Sequence, residues 1–191
     1  MHRSACTAAM LTFALAACGS PEGSGESAEV PATTPATGVS PAEAAGMRAV
    51  ALLRTATGAA AGTATAASAN GQTTISLNVE GLPPGEHGVH VHTTGRCDPP
   101  AFESAGGHWN PDGTRHGLES PQGQHAGDLP NLTVGADGRG TLEYRLKGGA
   151  FDGLMDADGS AFVVHASRDD QRTDPSGDSG DRIACGVFER G

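Results

Sequence analysis

Histidine side chains are the first candidates for chemistry in this chain of 191 residues, which contains eight of them. His90 and His92 lie two residues apart in a predicted β-strand, so both imidazoles project from the same face. Such a pair alone is weak evidence for a metal, because most pairs of this kind in exposed strands are incidental. Five further candidate ligands lie in or beside the two longest predicted loops: His108, His116, His125, Asp128 and His165. This clustering predicts metal binding.

A second set of ligands is predicted within the first long loop. His116, His125 and Asp128 offer two imidazole nitrogens and one carboxylate at separations of nine and three residues, and one further histidine would complete tetrahedral zinc coordination. An imidazole-rich site without thiolates, sharing a wall with the strand pair, suits copper, which binds nitrogen ligands more tightly than the other divalent metals of its row. The spacing therefore predicts a protein with two metals but does not identify its reaction.

Short strands and turns, rather than long helices, are expected to position these ligands. The chain contains 29 glycines and 12 prolines, about a fifth of all residues, which excludes a helical bundle or a coiled coil. Its formal net charge of −10 provides no basic face for phosphates, so nucleic acid is excluded as a partner.

Apolar and alternating segments predict eight strands, at residues 49–55, 63–69, 73–80, 88–92, 131–134, 140–146, 161–165 and 183–189. The dipeptide Asn70-Gly71 supplies the positive φ angles of a tight hairpin, so antiparallel pairing is expected. Residues 93–130 and 166–182 form two connections of a length that is usually functional. No convincing amphipathic helix is predicted.

The first 46 residues differ in composition from the remainder. Residues 1–17 combine Arg3 with an apolar run that is typical of a secretory signal and too short to span a bilayer. The end of this run, Leu-Ala-Ala-Cys-Gly, resembles the lipobox of bacterial lipoproteins, which predicts lipidation at Cys18. An ordinary cleaved signal with an incidental cysteine is the alternative. Residues 18–46 are rich in small and acidic residues and predict a flexible linker, which leaves a domain at 47–191.

Cleavage before Cys18 leaves two further cysteines, Cys97 and Cys185. Two cysteines remaining in an exported chain usually form a disulfide, because the compartment is oxidising. Two free thiols are the less favoured alternative.

Six short motifs carry a resemblance to a known family. They are Gly-Val-His-Val-His at 88–92, Ala-Gly-Gly-His-Trp-Asn-Pro at 105–111, Arg-His-Gly at 115–117, His-Ala-Gly-Asp-Leu at 125–129, Val-Val-His at 163–165 and Asp-Arg-Ile-Ala-Cys-Gly-Val at 181–187. In this order, residues 47–191 resemble copper,zinc superoxide dismutase of the bacterial lipoprotein type.

The resemblance implies a fold and a set of site residues. The fold is all-β, an eight-stranded antiparallel Greek-key flattened barrel with two long functional loops. One copper ion per subunit is implied at His90, His92, His108 and His165, and one zinc ion per subunit at His108, His116, His125 and Asp128. His108 bridges the two metals as an imidazolate. Cys97 and Cys185 match the family's intrasubunit disulfide, Arg182 matches the arginine at the mouth of the copper site, and Asp169 matches the aspartate that links a copper histidine to a zinc histidine.

The implied activity is dismutation of superoxide to oxygen and hydrogen peroxide by alternate reduction and oxidation of copper. This activity would protect the cell envelope, and His108 and Arg182 are the implied catalytic residues. The alternative is a non-catalytic envelope protein that buffers or delivers copper and zinc with the same ligands. The expected partners are superoxide and a membrane reached through lipid at Cys18, on the periplasmic side of a bacterial cell envelope. Homodimer and monomer both stay open, and His87 is predicted as a turn residue.

Overall fold

Alternation of apolar and polar residues produces nine strands in residues 47–191, the part of the chain that the computed structural model describes. The strands are β1 (Arg48–Thr55), β2 (Ala60–Ala69), β3 (Gln72–Val79), β4 (Gly85–His87), β5 (Val89–His92), β6 (Leu132–Val134), β7 (Gly140–Arg145), β8 (Ala161–His165) and β9 (Arg182–Arg190). The predicted signal peptide at 1–17, Cys18 and the linker at 18–46 lie outside the described residues.

Seven strands form one antiparallel sheet in the order β5-β8-β9-β1-β2-β3-β7, and β4 pairs with β6 in a second sheet. The last strand, β9, thus pairs with the first strand, β1. Such a non-sequential strand order is typical of Greek-key topology. The predicted all-β antiparallel architecture is confirmed. Between β2 and β3, Asn70 and Gly71 have φ angles of 52° and 74°, as the hairpin prediction requires.

The predicted count of eight strands is wrong by one, because the fourth strand begins earlier and divides at Gly88. Residues on its two sides, β4 and β5, belong to different sheets. A Cβ on Gly88 would lie only 2.8 Å from Ser179 Cβ, so the second long loop crosses the chain at this point. The absence of a side chain at Gly88 therefore leaves room for this loop to pack against the chain.

His87 is not a turn residue, contrary to the sequence prediction. It ends β4, is buried, and directs Nδ1 toward the carbonyl of His165 (2.7 Å) and Nε2 toward that of Pro83 (2.8 Å). His87 thus belongs to the two-stranded sheet, whereas His90 and His92 belong to β5 in the larger sheet.

Within residues 47–191, helical structure is limited to a one-turn helix, α1 (Phe151–Leu154), and a 3₁₀ turn (Glu103–Ala105). Among the described residues, no helix has the length and apolar character needed to cross a membrane. The core contains large aliphatic and aromatic side chains from both sheets and from the loops: Leu53, Ile75, Leu77, Leu129, Leu132, Leu146, Leu154 and Phe162. The predicted disulfide is confirmed between Cys97 and Cys185, which joins the first long loop to β9.

Candidate metal centre

The first long loop pairs with the open edge of β5, and this pairing assembles the site. Val91 accepts a hydrogen bond from the Trp109 N–H (2.8 Å) and donates one to the Gly127 carbonyl (2.9 Å). Two isolated bridges result, with His108 opposite His92 and Asp128 opposite His90. Ligands far apart in sequence are therefore brought together by backbone hydrogen bonds at one strand edge.

Four buried histidines form the first cluster, and their candidate ligand atoms lie within 4.8 Å of one another: His90, His92, His108 and His165. Three of the rings are oriented by hydrogen bonds to oxygen atoms that lie outside the cluster. His90 Nε2 lies 2.6 Å from Asp169 Oδ2, His92 Nδ1 lies 3.0 Å from the Gly106 carbonyl, and His165 Nδ1 lies 3.0 Å from the Gly180 carbonyl. Because these oxygens can only accept hydrogen bonds, the nitrogen of each ring that faces outward carries the proton, and the other nitrogen directs its lone pair into the cluster.

The inward nitrogens fit a metal with nitrogen ligands. Among the described residues, five buried side-chain nitrogen or oxygen atoms lack a hydrogen-bond partner, and four of them are His90 Nδ1, His92 Nε2, His108 Nε2 and His165 Nε2. Buried polar atoms are rarely left unpaired unless an ion or water pairs with them. Four converging imidazoles are a donor set that suits copper.

Burial keeps these rings neutral at pH 7. Desolvation, followed by the charge of His108, lowers the pKa values of His90 and His92 well below the usual value of 6.5. Desolvation also lowers the pKa of His165, to about 4. Neutral imidazole is the form that ligates a metal.

Three histidines surround one carboxylate oxygen in the second cluster. Asp128 Oδ1 lies 2.9 Å from His108 Nδ1, 3.1 Å from His116 Nδ1 and 3.3 Å from His125 Nδ1. Zinc bonds of 2.0–2.1 Å in a tetrahedron place neighbouring ligand atoms about 3.3 Å apart, so these separations fit zinc. The other carboxylate oxygen is fixed by the backbone N–H groups of Gly117 (2.8 Å) and His125 (2.9 Å). Burial raises the pKa of Asp128, but its hydrogen bonds to the three histidines outweigh burial and hold that pKa far below its usual range.

His108 belongs to both clusters through different nitrogens. Its Nε2 is one of the unpartnered atoms of the first cluster, while its Nδ1 faces Asp128 and lies 3.4 Å from His125 Nδ1. The geometry thus places one imidazole between the two clusters.

Asp169 joins the clusters from behind. Its Oδ2 contacts His90 Nε2 at 2.6 Å, and its Oδ1 contacts His116 Nε2 at 3.1 Å. The side chain of Asn131 holds the Asp169 backbone at both N–H and C=O, each at 2.8 Å. Burial raises the pKa of Asp169, but the hydrogen bonds to His116 and His90 lower it more, so the carboxylate stays charged.

Arg182 begins β9 and reaches the first long loop. Its two terminal nitrogens donate to the carbonyls of Phe102 and Gly106, each at 2.7 Å, and the Gly106 carbonyl also faces His92 Nδ1. This shared carbonyl was not predicted, because backbone acceptors leave no signal in residue type.

An open cavity of about 440 Å³ leads to these residues, and its lining is Gly107, His108, Asn110, Thr114, His125, Asp174, Pro175, Ser176 and Arg182. Arg182 is the one guanidinium of this lining, and Asp174 is its one carboxylate. Arg168 and Arg172 instead form exposed ion pairs with Glu86 and Glu119. Sequence reasoning missed Asp174, since a loop aspartate among several others carries no distinguishing pattern.

Comparisons with known proteins agree with this arrangement. A family model described as "Copper/zinc superoxide dismutase (SODC)" matches residues 60–188. "Superoxide dismutase [Cu-Zn] 2" of Aquifex aeolicus is 45% identical over 122 residues, which cover 60% of this chain and 70% of that protein. "Superoxide dismutase [Cu-Zn]" of Caulobacter vibrioides is 43% identical over 148 residues, which cover 74% of this chain and 85% of that protein.

A solved structure is also similar. The crystal structure of a SOD-like protein from Bacillus subtilis matches with a TM-score of 0.66 and 42% identity, over 72% of this chain and 96% of that one. Sequence and fold comparisons therefore point to the same family.

Proposed function

The chain belongs to the copper/zinc superoxide dismutase family and dismutes superoxide to oxygen and hydrogen peroxide, and on this premise we propose which residues carry the reaction. The observation that carries the assignment is the set of four inward, unpartnered imidazole nitrogens beside a second cluster that shares His108.

Copper and zinc are the cofactors, one of each per chain. Copper would be held by His90, His92, His108 and His165, and zinc by His108, His116, His125 and Asp128. Bound copper supplies one-electron chemistry between Cu(II) and Cu(I), whereas zinc has no redox chemistry and supplies fixed positive charge.

Two residues act on the substrate and its protons. Arg182 lines the cavity and attracts the superoxide anion, with its guanidinium fixed by two backbone carbonyls. His108 Nε2 would hold a proton taken from solvent whenever it is released from copper, and it would give that proton to the departing peroxide. Water entering by the cavity supplies the second proton of hydrogen peroxide. Asp169 orients His90 and His116 through its two oxygens.

A non-catalytic role in metal buffering is not favoured. It uses the same ligands but gives no reason for a guanidinium held beside the open cavity. The curated relatives named above are also superoxide dismutases.

The decisive experiment measures dismutation by the full chain loaded with copper and zinc, beside a His165→Ala variant with both metals quantified. Rapid dismutation that is lost in the variant together with copper, while zinc stays bound, supports the assignment. A parent chain that holds both metals in a ratio of one to one but dismutes no faster than buffer would leave only the metal-binding role.

We further propose that the chain is exported to the periplasmic side of a bacterial envelope and held there by lipid. In this proposal residues 1–17 are the signal, Cys18 carries the lipid, residues 18–46 form the linker and residues 47–191 form the catalytic domain. The Cys97–Cys185 disulfide supports an oxidising compartment. Purification of the chain from fractionated cells that were fed a labelled fatty acid tests this: in a Cys18→Ala variant, the purified chain should carry no label and should no longer be recovered with the membrane.

A further inference from the structure

Asp174 is the carboxylate in the lining of the cavity that opens onto His108 and Arg182. It lies in the second long loop, and 39% of its side chain is exposed. Its Oδ1 accepts a hydrogen bond from the backbone N–H of His116 at 2.8 Å and lies 3.9 Å from His125 Nε2. One carboxylate oxygen thus faces two members of the second cluster.

The two nitrogens of His125 face different groups. Nδ1 faces Asp128 Oδ1 at 3.3 Å, inside the zinc cluster, whereas Nε2 faces Asp174. If zinc is held through Nδ1, the metal gives the ring positive character. A separation of 3.9 Å is too long for a hydrogen bond, so the attraction between Asp174 and His125 is electrostatic. A carboxylate on the far side of a ligating imidazole orients the ring and raises its basicity.

We propose that Asp174 is a positioning residue for zinc, which holds His125 by charge and the backbone of His116 by a hydrogen bond. This inference rests on the proposed assignment of zinc to the second cluster. Asp169 contacts the rings of His116 and His90 directly, from the buried side. Asp174 lies on the cavity side, and it therefore places a negative charge on the path of an anionic substrate.

Zinc binding by the full, copper-free chain tests the proposal without reference to activity. Asp174→Asn keeps an oxygen that can accept from the His116 N–H but removes the charge that faces His125. We expect the zinc dissociation constant, measured by competition with a chromophoric chelator, to rise at least tenfold. Asp174→Ala also removes the acceptor and should weaken zinc further.

Asp178→Asn is the matched control, because Asp178 is exposed in the same loop and lies outside the cavity lining. Its φ of 50° lies in a region that asparagine adopts readily, so only charge is removed. Cobalt(II) bound in place of zinc gives a second readout, since its visible absorption bands report the geometry of the ligands. The bands should change in Asp174→Asn and keep their positions in Asp178→Asn.

A loss of zinc affinity below threefold in Asp174→Asn, or a loss that Asp178→Asn shares, would overturn the proposal. Unchanged cobalt bands in Asp174→Asn would overturn it as well, because a general loosening of the fold can weaken zinc without altering the geometry of the bound ion. A parent chain that binds no zinc would overturn both this inference and the zinc assignment on which it rests.

Discussion

At the scale of single residues, the site depends on the absence of a side chain as much as on its ligands. Gly177 has a φ of +63°, and a Cβ at this position would overlap the Asp169 carboxylate and come within 2.7 Å of His116 Nε2. The link between the two clusters therefore requires glycine here for two reasons, backbone conformation and space.

We expect Gly177→Ala to lower the affinity for zinc about tenfold or more and to destabilise the fold, because Asp169 must move away from His116. Gly58→Ala is the control: its φ is +83°, yet nothing lies within 4 Å of the added Cβ. The control should cost only the backbone term of about 1–2 kcal/mol. Thermal unfolding and chelator competition measure both effects, and equal losses in the two variants would contradict the role of Gly177.

His116 lies between two carboxylates, which has a consequence for zinc loading. Burial lowers its pKa, but the hydrogen bonds with Asp128 and Asp169 outweigh burial and raise the pKa to about 9 in the metal-free protein. At pH 7.5 the ring is therefore protonated, and zinc at Nδ1 must displace that proton. Calorimetric titrations in buffers of different ionisation enthalpy should give close to one proton released per zinc at pH 7.5, falling as the pH rises through 9. A release near zero at pH 7.5 would contradict this charge state.

At the scale of elements, the sequence predicted most of the strands and the contents of both loops. Period-two patterns and Asn70-Gly71 located the strands, the His and Asp positions located the candidate ligands, and the Cys positions predicted the disulfide. The docking of the first loop on β5 was not predictable, because it depends on backbone hydrogen bonds of Val91 that any residue can form. For the same reason the Gly106 carbonyl, which both Arg182 and His92 face, was missed.

The disulfide ties that loop to β9 across 88 residues of sequence. Replacing both Cys97 and Cys185 by serine should cost about 4–5 kcal/mol in the loop-entropy description and lower the thermal midpoint by about 10 °C. Dismutation should also slow, because the carbonyls of Phe102 and Gly106 that hold Arg182 belong to the tethered loop. Calorimetry and an assay at full copper content measure the two effects. An unchanged midpoint would show that loop packing, rather than the covalent tie, holds this segment.

At the scale of the whole molecule, the formal net charge of −10 opposes the approach of an anion, so local charge must decide capture. Fields inside a cleft with low-dielectric walls are focused, and superoxide dismutase is a known example of such steering. In this cavity Arg182 attracts superoxide and Asp174 opposes it. We infer that the charge of Asp174 slows the capture of superoxide while it increases the affinity for zinc.

This balance predicts that Asp174→Asn, held at saturating copper and zinc, dismutes superoxide faster than the parent. The rate constant should rise about twofold or more at 10 mM ionic strength, where the Debye length is about 30 Å. The gain should vanish near 1 M, where the Debye length is about 3 Å and the charge of Asp174 is screened. Asp178→Asn removes the same net charge outside the cavity lining and should change the rate constant little. Pulse radiolysis across this range of salt measures both variants. Equal gains in the two would mean that net charge, rather than the field inside the cavity, governs capture.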